Sequence, residues 1–337
     1  MTDQLNEPAV QRALVLGANG GIGNETMHAL LRHGWRVRAM ARTISRSALS
    51  HPHLEWRAGD VMNRGDVMDA ARDVQVIVHA VNPAKYHNWR GLALPMLDNT
   101  IAAATSSRAR IVLTGTLYNY GPDAFPIVDE EAPQNPHTRK GAIRVEMEER
   151  LRDASWEGRV RALIVRAGDF FGARARSNWF SQGMVMPGRP VQVVFNPGKP
   201  DLEHSWAYLP DVAETIVRLL DQESSLAKFD TYHFKGYYLR NAEMARVICN
   251  AAGISDKRVL PFPWWAIRAS AHFVERSNEM LEMRYLWNEA IELDNRKLRA
   301  RIGTEPHTPI EEAIRSTLIG IRCISNASIS AARAGSF

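Results

Sequence analysis

Cysteine is nearly absent. The chain of 337 residues has two, Cys249 and Cys323, too far apart for a zinc or redox spacing. A small secreted scaffold held by disulfides is thereby excluded. Long apolar runs are missing as well. No window of about 18 apolar residues occurs, so no membrane-spanning helix is expected. Residues 1–8 carry neither the basic nor the apolar segment of a secretory signal, which makes a cytoplasmic location the expectation. A large excess of one charge is also lacking. Forty-two basic against 37 acidic side chains leave +5, with no basic stripe, so nucleic acid and membrane are not expected partners. The 11 histidines are scattered, and no metal site is expected. What remains, 45% hydrophobic and 23% charged residues, is the composition of an ordinary globular chain. The length suits two domains, or one large α/β unit with an appended lobe.

The informative stretch comes early. Residues 13–16 (Ala-Leu-Val-Leu) form a short apolar run that suits a strand buried on both faces. Gly17-Ala18-Asn19-Gly20-Gly21-Ile22-Gly23 follows, then a helical pattern over residues 24–33, closed by Gly34, and a second strand over 35–41. Glycines at 17, 20 and 23 in a strand–loop–helix–strand frame meet the demands of a dinucleotide site. They allow a tight turn, close approach of a pyrophosphate to the backbone around Asn19, Gly21 and Ile22, and a helix N-terminus aimed at the phosphates. The second strand ends without the acid that holds a ribose 2′-hydroxyl. Arg42 stands there, followed by Arg46, and a guanidinium can fork onto a 2′-phosphate, so NADP is the expected cofactor. The alternative is a surface arginine.

A third strand over 54–61 ends in Asp60 and Val61. Asp60 either accepts from the adenine amine or caps the next helix. A fourth, over 74–81, delivers Ala80 and then Asn82, held extended by Pro83, to the expected nicotinamide pocket. A helix over 92–106 and strands over 110–113, 161–165 and 231–234 complete an α/β, doubly wound parallel (Rossmann) sheet. The dinucleotide-binding domain is expected over 10–178. A smaller substrate lobe over 179–320 follows, with helices at 244–252 and 265–283 and the strand near 231–234 returning to the sheet. The tail 325–337 is expected to fray.

These pieces, together with Thr114-Gly115-Thr116-Leu117-Tyr118-Asn119-Tyr120-Gly121, Arg166-Ala167-Gly168-Asp169-Phe170-Phe171-Gly172 and the segment from His204 to Ala213, resemble the short-chain dehydrogenase/reductase superfamily. They are most similar to its extended, nucleotide-sugar epimerase-like branch. The resemblance implies that the Thr116 hydroxyl meets the substrate oxygen. It also implies a Tyr-x-x-x-Lys pair on the next helix, and here the sequence departs. With Glu148 as the reference point, Lys140 stands at the tyrosine position and Arg144 at the lysine position, and no tyrosine occurs between Tyr120 and Tyr208. Residues i and i+4 share a helix face. A fixed cation one turn away and partial burial both disfavour a lysine ammonium, which suits it to proton transfer. A similar Lys-x-x-x-Arg segment occurs in the isoflavone-reductase and phenylcoumaran benzylic ether reductase group, where the lysine is considered the proton-transfer residue. The alternative is a solvated basic helix face countered by Glu146, Glu148 and Glu149.

Two functions follow as expectations. One is an NADP-dependent oxidoreductase acting on a small carbonyl, enone or benzylic substrate, as monomer or homodimer. Thr116, Lys140 and Arg144 would be catalytic, with Arg144 also at the cofactor. A nucleotide-sugar epimerase or dehydratase is its variant. The other is a non-catalytic NADP-binding sensor similar to NmrA-like regulators, which the missing tyrosine supports. His204 is expected to be a satisfied, partly buried imidazole or a cleft residue.

Overall fold

Alternation along one short strand decides the layering. β1 (Arg12–Leu16) sends Ala13 and Val15 into one apolar cluster and Leu14 and Leu16 into another. Side chains alternate across a strand, so β1 is buried on both faces. Burial of the Leu14, Val15 and Leu16 side chains contributes roughly 1.5–3 kcal/mol each. The structure is a computed structural model that describes residues 11–44, 49–83, 88–175, 178–271 and 275–325. Arg46 lies outside the described residues, as does the expected frayed tail beyond Ser325.

β2 (Arg36–Ala41), β3 (Leu54–Ala58), β4 (Val76–His79) and β5 (Arg110–Gly115) join β1 in one sheet with the strands Arg161–Arg166 and Phe229–His233. The order is β3, β2, β1, β4, β5, Arg161–Arg166, Phe229–His233, and every pairing is parallel. The chain builds outward from β1 to β3, then returns to the other side of β1 with β4. The switch point between β1 and β4 opens a crevice at the carboxyl ends of the strands. Helix α1 (Gly21–Arg32) covers one face. α2 (Arg64–Ala70), α3 (Trp89–Ser107) and α4 (Arg139–Trp156) cover the other, and α5 (Leu209–Leu220) packs beside α1. No helix among the described residues is long and apolar enough to cross a membrane.

Local chemistry sets the helix starts. Thr138 caps α4, its hydroxyl accepting from the Gly141 N–H at 3.0 Å. Asn63 caps α2, accepting from Gly65 and Asp66. The alternative role of Asp60 as that cap is therefore corrected. Its carboxylate accepts from the Met62 N–H instead. α1 begins at Gly21 rather than residue 24, so Gly21 and Gly23 lie in its first turn. The long helix expected over 265–283 is also corrected. Helices span Trp264–Ser270 and Glu275–Glu282, a 3-10 turn Met283–Trp287 follows, and residues 272–274 lie outside the described ones.

A second sheet went unrecognised in the sequence. Asp169–Phe171 runs parallel to Glu203–Tyr208, which is antiparallel to Tyr237–Arg240. These strands carry a third apolar cluster containing Phe171, Trp206, Tyr237 and Trp287. The two parts of the chain interleave. Leu117 and Tyr120 join this third cluster, while α5 and the Phe229–His233 strand belong to the first part.

Candidate active site

One cleft of about 1050 Å³ follows the carboxyl edge of the sheet from β3 to the Arg161–Arg166 strand. At its start the glycine loop turns at Gly17, whose φ of +83° suits glycine. A Cβ at Gly17 would stand 2.5 Å from the Ala80 carbonyl oxygen, so the loop after β1 lies directly on the loop after β4. Gly23 does not line the cleft. It packs against the Gly17 backbone, which brings helix and strand together. A Cβ at Gly20 would meet only the Gly17 oxygen at 3.2 Å and the Ala80 oxygen at 3.9 Å. No side chain caps α1 and no acid sits in its first turn, so its leading N–H groups and positive dipole end are open to an anion. Backbone, dipole and space together fit the phosphates of a dinucleotide.

The structure brings Asn19, Gly20, Gly21, Ile22, Arg42, Asp60, Val61, Ala80, Asn82, Thr116, Lys140 and Arg144 to the wall of this same cleft, with Gly17. Arg42 is exposed at the end of β2, and Asn19 ties the loop to the Thr43 carbonyl at 2.9 Å. Arg38 of β2 plays no part here. It is buried and donates to Glu55 and to the carbonyls of Ala70 and Arg72.

α4 is pressed against the loop after β5. Gly141 makes this possible, because a Cβ there would overlap the Tyr118 carbonyl oxygen. The close approach buries both cations of the helix: Lys140 and Arg144 are each 6% exposed. The alternative of a solvated basic face is thereby corrected. The Lys140 Nζ lies 5.4 Å from the Trp89 ring centroid and the Arg144 guanidinium 5.3 Å from it, so one indole serves two cations. Arg144 donates to the Asn82 Oδ1 at 2.7 Å, joining α4 to the end of β4. Its Nε is buried without a hydrogen-bond partner. Burial works against the Arg144 cation and outweighs the support of Tyr118 and Glu148. Glu146 is paired with Arg90 and Arg150.

Thr116 does two things. Its hydroxyl caps a 3-10 turn by accepting from the Tyr118 N–H at 3.3 Å, and it lines the cleft. Beneath it lies a network the sequence did not announce. Arg166, with no exposure, pairs with Glu148 at 2.7 Å and donates to the Thr116 carbonyl at 2.7 Å. Asn119 and Gln134 also donate to Glu148. Beyond Thr116 the wall passes to Tyr118, Asp169 and Phe170, then to Trp179, Met280 and Leu286 of the later chain. His204 is a satisfied buried imidazole, 2.8 Å from Asp169 and stacked on Trp287. Trp89 and Tyr118 were missed as cleft residues. The only available signal was the glycine at 141, whose close approach a sequence does not display.

A parallel seven-stranded sheet with a phosphate-fitting loop at its switch point defines a Rossmann-type fold whose crevice suits a dinucleotide. The chain belongs to the NAD dependent epimerase/dehydratase family, whose sequence profile matches residues 13–233. It is 27% identical over 126 residues to aldehyde reductase 2 of Sporidiobolus salmonicolor, covering 32% of this chain and 36% of that protein. The matched stretches span between about a third and a half of the curated relatives' length. Among solved structures, MoeE5 in complex with UDP-glucose and NAD superposes with a TM-score of 0.71 at 14% identity, covering 93% of this chain and 98% of that one. UDP-glucose 4-epimerase from Bifidobacterium longum, in complex with NAD+ and UDP, gives 0.71 at 18% identity, covering 91% and 97%.

Proposed function

We propose that the protein is an NADP-dependent oxidoreductase acting on a small carbonyl, enone or benzylic compound. One observation carries the reading: a single cleft joins the glycine loop and Arg42 at one end to Thr116, Lys140 and Arg144 at the other. The glycine loop and the start of α1 hold the pyrophosphate, and Arg42 takes the 2′-phosphate. Arg144, braced by Asn82, lies beside the nicotinamide end. When bound, the nicotinamide supplies or accepts the hydride. Thr116, whose hydroxyl makes a long 3.4 Å contact to the Asn119 Oδ1, turns from it to donate a hydrogen bond to the substrate oxygen. In the reducing direction Lys140 gives that oxygen its proton as the carbonyl π pair moves onto it. The neutral amine is then reprotonated from solvent. The Lys140 and Arg144 charges, out of water, also stabilise the developing alkoxide.

The test begins with titration of NADP and NAD against the protein. NADP should bind more tightly, and Arg42→Asp should weaken NADP while sparing NAD. An exposed ion pair of this kind is worth roughly 1 kcal/mol, about fivefold in affinity, and the aspartate adds repulsion of the 2′-phosphate. Equal affinities in the parent protein would refute the cofactor assignment. Oxidation of NADPH by a ketone panel then separates an enzyme from a cofactor-binding sensor.

A further inference from the structure

The arm of the cleft beyond Thr116 is lined by the apolar Phe170, Trp179, Met280, Met283 and Leu286, by the amides Asn178 and Gln182, and by one carboxylate, Asp169. Asp169 is 8% exposed. Its Oδ2 accepts from the His204 Nε2 at 2.8 Å, and the imidazole is fixed by stacking on Trp287, 4.0 Å between centroids and 2° from parallel. Its Oδ1 accepts from the Tyr118 phenol over a long 3.4 Å. A carboxylate offers about four lone-pair sites, so Oδ1, with one long contact, keeps acceptor capacity, and Asp169 lines the cleft. A carboxylate is costly to bury in an apolar wall. In a ligand pocket, a few placed polar groups set orientation and specificity.

We propose that Asp169 is the specificity residue of this cleft. It accepts a hydrogen bond from a hydroxyl or ammonium group that the substrate carries close to its reacting carbon. This deepens the oxidoreductase reading and rests on it. The substrate is then a compact carbonyl compound, or the matching alcohol, with an apolar body for the Trp179–Met283 side and a donor for Asp169. The same carboxylate repels phosphate. Among the described residues, the cations lining the cleft are Arg42, Lys140 and Arg144, which the cofactor and the reacting oxygen engage. The arm is therefore built against a sugar linked to a nucleoside diphosphate.

The probes are α-hydroxyacetophenone, propiophenone (a methyl group in place of the hydroxyl), α-aminoacetophenone as its ammonium form, and UDP-glucose. Each is tested for NADPH oxidation and for quenching of tryptophan fluorescence in the NADP-loaded protein. A hydrogen bond to a charged group predicts a preference of at least about tenfold for the hydroxy ketone over propiophenone. Asp169→Leu should abolish that preference with NADP affinity unchanged. Asp169→Asn keeps the shape of the site and serves if the leucine variant does not fold. It should retain part of the hydroxyl preference and lose more of the ammonium preference, which separates the two donors. Donor-dependent binding without turnover would refute the oxidoreductase reading and support the role of Asp169. An equal preference in the parent and Asp169→Leu proteins would overturn the proposal. Failure of all three ketones to bind, or tight binding of UDP-glucose by the parent protein, would do the same.

Discussion

Glu148→Gln removes one charge from a pair that has almost no water. Arg166 has no exposure and Glu148 has 3%. Burial works against the Arg166 cation, and the Glu148 carboxylate with Tyr120 more than offsets it. The guanidinium also lies 4.9 Å over the Tyr120 ring and donates to the Thr116 carbonyl. Glutamine keeps the volume and can still accept from Asn119, but it leaves a buried guanidinium without its counter-charge. Breaking a buried pair this way costs about 3–5 kcal/mol, a large share of the roughly 5–15 kcal/mol that stabilises a folded protein. Arg166→Met should cost a similar amount, because it leaves the carboxylate stranded and frees the Thr116 carbonyl. The double variant should lose less than the sum of the two, with a coupling of roughly 1–3 kcal/mol. Urea unfolding of the four proteins at neutral pH measures the cycle. A loss under about 0.5 kcal/mol in Glu148→Gln, the size of an ordinary surface change, would refute the reasoning, as would simple additivity. Because Arg166 holds the Thr116 backbone, turnover in the folded Glu148→Gln protein should fall while NADP affinity stays nearly constant.

Gly20→Val should abolish NADP binding in a folded protein: its Cβ would stand 3.2 Å from the Gly17 carbonyl oxygen, so the loop must give by a few tenths of an ångström, and the branched side chain occupies the approach of the pyrophosphate. Retained affinity in calorimetry would show the loop to be misread. Lys140→Ala should eliminate turnover and spare NADP binding, whereas Arg144→Met should weaken both, the second by loss of the guanidinium held at Asn82. Full activity in Lys140→Ala would remove the lysine from the mechanism. Burial, aided by Arg144 and Arg166 respectively, holds His79 and His233 neutral with their pKa values pushed down to about 3. The unfolded chain takes up these protons near pH 6.5 and the native one does not, so stability should fall as pH drops from about 6.5 toward 3. The slope should reach about 1.4 kcal/mol per pH unit for each histidine. Urea midpoints at pH 7 and pH 5 report it, and His79→Gln should reduce the slope; an unchanged slope would mean that His79 titrates normally.

Features that depend only on neighbours in the chain were legible before any packing was known. The apolar run 13–16, the glycine spacing, the helix stop at Gly34 and the missing acid at position 42 act within a few residues of one another. They made the parallel sheet and its loop legible. The Thr138 cap and the i, i+4 pairing of Lys140 with Arg144 are equally local. Whether those cations face water or a cleft is not local. α4 carries acids and bases in nearly equal measure, and the contact of Gly141 with the Tyr118 backbone decides which face is buried. The second sheet escaped notice for a related reason. Two of its strands have only three and four residues, and two of the three begin with polar residues rather than an apolar run. The Asp169–His204 and Glu148–Arg166 pairs join residues 35 and 18 apart in the chain. Such pairings leave no periodicity to read, because only packing of separate elements brings the charges out of water and into reach of one another.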